Sequence, residues 1–214
     1  MTLRRVLPRA GLRRPMLALV FASSAIGGLA ACAPLLVGGA MMGGTMLYTD
    51  RRTSGTQIED QAIELKAGKR LGDAFGDRGH FNVTSYNRMV LVTGEVASEA
   101  DRVNVESTVQ RVENVRAVVN EVGVMAATSL SSRSNDAILS GKVKASLVDA
   151  RDLMANAFKV VTERGTVYLM GRVTEREANR STEVARSVGG VQKVVRVFEL
   201  ISEAELAEVR PSSR

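Results

Sequence analysis

An internal repeat limits the folds open to this chain of 214 residues. Displacing the sequence by 77 or 76 positions aligns three pairs of segments: 81–83 with 158–160, 90–96 with 167–173, and 115–120 with 191–196. Both members of the middle pair end in Gly-x-Val. Self-similarity at one long period indicates a repeated structural unit, so the chain carries two copies of one small module in tandem.

The first copy predicts the order helix, strand, strand, helix, strand. Apolar residues at helical spacing (Ile63, Ala67, Leu71, Ala74) predict a helix that opens near Glu59 and Asp60, whose carboxylates suit a helix N-terminus. Two β-rich runs, 81–85 and 89–96, predict a hairpin. Ser98 is expected to cap the next helix, and residues 118–124 are expected to form the last strand.

The second copy repeats this order with clearer helix signals. Thr174-x-x-Glu177 is a capping box, and Gly189-Gly190 stops the helix that follows it. A strand, a helix and a strand in succession usually form a right-handed parallel crossover. The expected fold class is therefore α+β: two tandem αββαβ modules, each a three-stranded mixed sheet with two helices on one face. Because so small a module buries little apolar surface, we expect the copies to pack together.

Two glycines occupy matching places in the apolar strands. Gly94 and Gly171 have no side chain to pack, and such glycines usually mark a bulge or a close approach of another backbone. We therefore expect both positions to be structurally constrained.

The copies and their flanking segments divide the chain into six parts. Residues 202–209 are expected to add a short helix, and the Ser-rich segment between the copies reads as a polar linker. The parts are a lipoprotein signal peptide (1–31), an acylated Cys with a Gly-rich apolar tether (32–55), module 1 (56–125), the linker (126–135), module 2 (136–201) and a C-terminal tail (202–214).

The first 32 residues have the layout of a secretory signal: an Arg-rich start, the uncharged run 15–26, and small residues after it. The run ends in Leu29-Ala30-Ala31-Cys32, which resembles the bacterial lipobox, and Cys32 is the only cysteine of the chain. That resemblance implies that the Cys32 thiol is acylated and that the peptide bond before it is cut. Two or more acyl chains anchor a protein stably. Since Ala33 rather than Asp follows the cysteine, the sorting rule for such lipoproteins favours the outer membrane.

Residues 33–48 are apolar, uncharged and interrupted by glycine pairs. One interpretation joins them to the signal as an uncleaved membrane span. Glycine pairs weaken a helix, and the joint run is longer than the roughly 20 residues that a bilayer needs. We therefore favour a flexible tether near the membrane surface.

Charge and composition exclude several classes of function. The net charge is +6, but five arginines lie before residue 32 without any acid, and beyond them 24 basic residues face 23 acidic ones. With this near-neutral balance and no Trp, we expect no nucleic-acid partner. The single histidine, His80, is expected to be a solvated loop residue, so the sequence offers no obvious side chain to act as a general base. We expect no enzyme activity, no metal and no cofactor.

The order and duplication of these motifs resemble BON domains. With the lipobox, the Gly-rich apolar stretch and the segment from Asp50 to Gly55 followed by Asp60, the chain is similar to the dual-BON outer-membrane lipoproteins. The resemblance implies a non-enzymatic protein on the periplasmic face of the outer membrane. It further implies that the second BON domain binds anionic phospholipid and that the protein supports outer-membrane integrity.

The residues offer one candidate lipid-binding surface. In a helix expected over 137–152, Lys144 and Arg151 fall on one flank of the apolar stripe and Lys142 on the other, where they could lie on anionic headgroups. Charge on a solvated helix is also ordinary, so an alternative stays open. In it the protein is an envelope adaptor or chaperone-like factor that binds a protein partner. An exposed apolar patch with a basic rim favours lipid, and one without such a rim favours a protein.

Overall fold

The computed structural model describes residues 50–209. The predicted signal peptide, Cys32, most of the tether and the end of the tail lie outside the described residues. In the first module, helix α1 (Ser54–Phe75) leads through a 3₁₀ turn into strand β1 (Gly79–Tyr86). Strand β2 (Met89–Val96), helix α2 (Glu99–Gln110) and strand β3 (Ala117–Val124) complete it.

The second module has the same order. Helix α3 (Leu130–Asp149) is followed by a 3₁₀ turn and strand β4 (Lys159–Glu163). Strand β5 (Thr166–Val173), helix α4 (Glu175–Ser187) and strand β6 (Lys193–Leu200) follow, and a short helix α5 (Glu203–Val209) comes last. The predicted capping box of Thr174 and Glu177 is present at the start of α4.

Each module contains one three-stranded sheet, in the orders β1-β2-β3 and β4-β5-β6. The hairpin strands are antiparallel, and the strands joined through a helix are parallel. Both hairpin turns place their two central residues at positive φ, Asn87-Arg88 in one and Arg164-Gly165 in the other, as tight turns matched to the strand twist require. The predicted fold class is confirmed.

Side chains of the central strands alternate between two buried faces. Val90 and Val92 of β2 lie in a core with α1 and α2, and Val167 and Leu169 of β5 lie in the equivalent core with α3 and α4. Leu91 of β2 and Tyr168 and Met170 of β5 point the other way. With Tyr86 of β1 and Val197 of β6 they form a third cluster between the sheets. The result is four layers, helices on sheet on sheet on helices. Burial on both faces explains why β2 and β5 read as nearly continuous apolar runs.

Several boundaries differ from the sequence prediction. Helix α1 begins at Ser54 with Thr53 as its N-cap, well before Glu59. Helix α3 begins at Leu130, within the segment predicted as a linker, because the Ser129 side chain caps it by accepting a hydrogen bond from the Ser132 N–H. His80 lies in β1 rather than in a loop.

Asp60 is also not a helix-start charge. It is buried, and its carboxylate accepts hydrogen bonds from the backbone N–H groups of Asn87 and Arg88, both at 2.8 Å. Asp136 of α3 accepts the equivalent bonds from Arg164 and Gly165 at 2.8 and 2.9 Å. The repeat thus preserves an aspartate in the first helix of each module that holds the hairpin turn.

Candidate functional site

Helix α3 presents two different faces. Leu139, Val143 and Leu147 are buried towards the sheet, as their helical spacing requires. On the opposite face the large apolar side chains of Leu130, Ile138 and Val148 are 80%, 59% and 67% exposed. Gly141 and Ala145 lie between them and are also exposed. Large apolar side chains therefore lie along the outside of this helix, with the exposed Ser134 and Asp149 among them; we call this surface the α3 outer face.

Two lysines border the α3 outer face. Lys142 lies on one flank beside Gly165 and Gly190, and Lys144 lies on the other flank beside β1. Both side chains are exposed, and neither joins a salt bridge within residues 50–209. The α3 outer face thus has two lysines at its rim that form no salt bridge in the described part of the chain.

Arg151 does not belong to this helix. Helix α3 ends at Asp149, and Ala150 is its C-cap, so Arg151 lies in the turn that follows and the helical spacing from Lys144 does not apply to it. Arg151 is nevertheless exposed, just beyond the C-terminal end of α3. The adjacent Asp152 accepts a hydrogen bond from Arg180 at 2.9 Å, which leaves less negative charge beside Arg151.

Helix α1 of the first module offers a comparison. Its Ile58 and Leu65 are 68% and 76% exposed, so this helix also carries outward apolar side chains. Its lysines, however, are paired: Lys66 with Glu113 at 2.8 Å and Lys69 with Asp73 at 2.6 Å. Arg70 of α1 forms no salt bridge within residues 50–209 and donates a hydrogen bond to the Arg111 carbonyl. The two helices therefore differ in their lysines, which are paired with carboxylates on α1 and unpaired beside the α3 outer face.

The sequence prediction identified the lysines but missed the apolar residues between them. Ile138 and Val148 lie ten positions apart, so they fall on the same side of a helical wheel, opposite the buried stripe. That spacing was the available signal.

The single histidine does not form a catalytic pair. His80 Nδ1 lies 3.6 Å from Glu95 Oε2, beyond hydrogen-bond distance. Burial alone would raise the pKa of the Glu95 carboxyl, but hydrogen bonds from Thr128 and Arg164 outweigh burial and lower it. Glu95 therefore stays ionised at neutral pH. Among residues 50–209, no group of three His, Cys, Asp or Glu side chains could hold a metal ion.

The segment before α1 joins both modules. Arg51 donates two hydrogen bonds of 2.7 Å to the carboxylate of Glu177 in α4 and a third to the carbonyl of Arg172. Arg52 pairs with Asp60 of α1 at 2.8 Å and stacks over the Tyr86 ring, 4.2 Å from its centroid. The chain that leads from the predicted anchor is therefore bound at the junction of the modules. No helix within residues 50–209 is long and apolar enough to cross a membrane.

A model of the BON domain family matches residues 59–126 and 135–201, the two modules described above. The chain therefore belongs to the BON-domain family, as a member with two BON domains.

Three curated relatives are similar to this chain over most of their own length. Outer membrane lipoprotein DolP of Haemophilus influenzae is 35% identical over 81% of this chain and 90% of that protein. The 21 kDa hemolysin of Actinobacillus pleuropneumoniae is 29% identical over 71% of this chain and 79% of that protein. Osmotically-inducible protein Y of Escherichia coli is 26% identical over 65% and 72%. The chain is thus a dual-BON lipoprotein similar to DolP, and its predicted location, lipid-anchored at the outer membrane, is confirmed.

Proposed function

We propose that this lipoprotein binds anionic phospholipid surfaces through the second BON domain and that this binding supports the integrity of the outer membrane. One observation carries the proposal: the α3 outer face combines exposed Leu130, Ile138 and Val148 with Lys142 and Lys144, which form no salt bridge within residues 50–209. A helix that lies in the plane of a membrane needs this pairing of apolar and basic side chains. The activity is binding rather than catalysis.

The physical contributions are of two kinds. Each lysine near an anionic surface adds about 1 kcal/mol of attraction, which falls off within a Debye length. Partial burial of Ile138 and Val148 among headgroups and upper acyl chains adds roughly 1–2 kcal/mol each at about 25 cal/mol per Å². The acyl chains on the anchor hold the protein at the membrane, so these terms act mainly on how the second domain contacts it.

The runner-up function is an envelope adaptor that binds a protein. The observation in its favour is α1, where Ile58 and Leu65 are exposed and both lysines are paired with carboxylates. In the four-layer fold α1 and α3 belong to opposite outer layers. A protein partner on α1 is therefore compatible with a membrane on α3.

A vesicle co-sedimentation experiment tests the proposal. The mature chain from residue 32, with Cys32→Ser to prevent acylation, is compared with an Ile138→Ser/Val148→Ser variant and with its counterpart in the first domain, Ile58→Ser/Leu65→Ser. Binding to vesicles with anionic lipid should weaken at least tenfold in the α3 variant, from about 1.4 kcal/mol or more of lost apolar contact. The α1 variant should bind like the parent.

The electrostatic part is separated by salt. Lys142→Gln/Lys144→Gln should weaken binding to anionic vesicles by about 30-fold at low ionic strength, from roughly 2 kcal/mol, and much less in 1 M salt. Binding to purely zwitterionic vesicles should not change. Equal losses in the α1 and α3 variants, or no binding by the parent protein, would contradict the proposed function and leave the adaptor as the better hypothesis.

A further inference from the structure

A groove runs between the two modules, beside the α3 outer face. It has a volume of about 580 Å³, and it is lined by β1 on one side and by β4 with one flank of α3 on the other. The polar side chains along these walls include His80, Asn82, Thr84, Arg133, Ser140 and Lys144. One wall belongs to the first module and the other to the second, so the groove exists only because the sheets pack together.

The basic groups of the groove are not neutralised within the described residues. Arg133 Nε is buried and has no hydrogen-bond partner among them, and Lys144 forms no salt bridge there. The two carboxylates that also line the groove are buried and accept hydrogen bonds from groups inside the protein. Asp136 accepts the N–H groups of the hairpin turn, as described above.

Glu163 is the other carboxylate, and it is buried at the edge of the sheet interface. It accepts hydrogen bonds from Asn82 at 3.0 Å and from Thr93 at 3.2 Å, and Arg164 lies 3.8 Å away. His80 turns its Nδ1 towards Glu95. Because Asp136 and Glu163 are only 8% and 3% exposed, the charged groups that an incoming molecule can reach in the groove are Arg133 and Lys144, which favours an anion.

We propose that this groove is a binding site for a phosphate group, with Arg133 and Lys144 as its principal ligands. A guanidinium can donate two parallel hydrogen bonds to phosphate oxygens, and an ammonium adds a point charge. Polar side chains of β1, such as Thr84, lie on the opposite wall. The inference rests on the proposed function, because Lys144 lies between the groove and the α3 outer face. A phospholipid whose acyl chains meet that face would place its headgroup phosphate in the groove.

The proposal gives the first BON domain a part in lipid recognition. Contact through the α3 outer face alone would leave β1 untouched. Occupation of the groove must instead change the surroundings of β1. The backbone amides of residues 82–84 therefore report on the groove separately from those of α3.

The test is NMR titration of the full mature chain carrying Cys32→Ser with three probes: dihexanoyl phosphatidylglycerol below its micelle concentration, glycerol 3-phosphate, and inorganic phosphate. We expect saturable shifts of the amides of residues 82–84 together with those of residues 133–144. Shifts with all three probes assign the groove to phosphate in general. Shifts with the lipid and glycerol 3-phosphate alone assign it to a headgroup.

A matched pair of variants places the site. Thr84→Asp puts a negative charge on the β1 wall and should raise the Kd about tenfold, as expected for a like charge near a phosphate in a partly solvated groove. Thr84→Asn has the same shape without the charge and should stay within about twofold of the parent. Arg133→Gln should match the Asp variant, and Arg133→Lys should recover only part of the affinity.

The outcomes separate this inference from the proposed function. Shifts confined to α3, or equal affinities of the Asp and Asn variants, would overturn the groove site while leaving membrane contact by α3 intact. If the parent protein neither shifts with lipid nor sediments with anionic vesicles, the proposed function fails, and the groove inference fails with it unless inorganic phosphate still shifts residues 82–84.

Discussion

At the scale of single residues, the pair of Arg51 and Glu177 is the most deeply buried ion pair described. The two side chains are 4% and 1% exposed. Burial alone would raise the pKa of the Glu177 carboxyl, but the bonds from Arg51 and from the Thr174 N–H outweigh burial and lower it. Glu177 is also the capping-box glutamate of α4, so one carboxylate both caps a helix and holds the segment before α1.

Removing the cation should cost more than the pair itself contributes. Arg51→Met leaves the Glu177 charge buried and unpaired, and such changes usually lower the free energy of unfolding by about 3–5 kcal/mol. The double variant Arg51→Met/Glu177→Gln removes that charge and should recover a large part of the loss. Chemical denaturation of the parent and both variants measures this. A single variant as stable as the parent would show that the ion pair does not hold the junction.

The same pair predicts a pH dependence. Because the pKa of Glu177 is lowered on folding, its contribution is fully present above the unfolded value of about 4.5 and is lost as the pH falls through the folded value. The melting temperature of the parent should therefore fall below about pH 4.5, and that of Arg51→Met should fall less steeply. If the melting temperatures of the two proteins fall equally between pH 6 and pH 3, this assignment is contradicted.

At the scale of elements, the strand glycines allow a close backbone approach. A Cβ on Gly94 would lie less than 3.0 Å from the carbonyl of His80, and Gly94 also has a φ of +126°. A Cβ on Gly171 would meet the carbonyl of Ala157 at a similarly forbidden distance. The neighbour in both cases is backbone, which cannot move aside as a flexible side chain can.

Gly94→Val and Gly171→Val should each lower the melting temperature by roughly 5 °C or more, from about 2 kcal/mol of strain or overpacking. Gly94 should be the more sensitive because its φ is also unfavourable for valine. Gly72→Ala in α1 is the control, since nothing lies within 4 Å of a Cβ there and alanine favours the helix. Scanning calorimetry measures the melting temperatures of all three variants. Valine variants with the melting temperature of the parent would show that these two positions are not structurally constrained.

At the scale of the whole molecule, the two BON domains share a buried interface between their sheets. Leu91 and Met170 are fully buried there, and Arg116 with Glu199 and Lys159 with Glu64 form salt bridges of 2.7 Å across it. Each small module therefore gains apolar burial that it could not reach alone. We expect both domains to unfold together.

Leu91→Asp places an unpaired carboxylate between the sheets and should destabilise the protein by several kcal/mol. Coupling between the domains should weaken, so that calorimetry shows a broader or split transition in place of a single one. Leu91→Met preserves volume and should cost less than about 1.5 kcal/mol. A Leu91→Asp protein that still melts in one sharp step at the parent temperature would contradict a shared folding unit.

The sequence by itself determined the repeat, the order of elements and the sheet topology. These follow from local signals: apolar periodicity, the capping box at Thr174, and the rule that a strand–helix–strand crossover is parallel. The same signals predicted Lys142 and Lys144 at the candidate site. They failed where a residue's role depends on a distant partner, as for Asp60, whose carboxylate looks like a helix-start charge until the hairpin turn is placed beside it.

Only the tertiary structure decided which residues that are distant in the sequence come together. Periodicity shows that Leu91 and Met170 can face away from their own helices, but only the packed sheets bury them against each other. The groove with Arg133 likewise requires a strand of one module and a helix of the other. Contacts between residues far apart in the chain leave no periodic pattern in it, so local propensity cannot encode them, whereas burial of both sheet faces selects one arrangement.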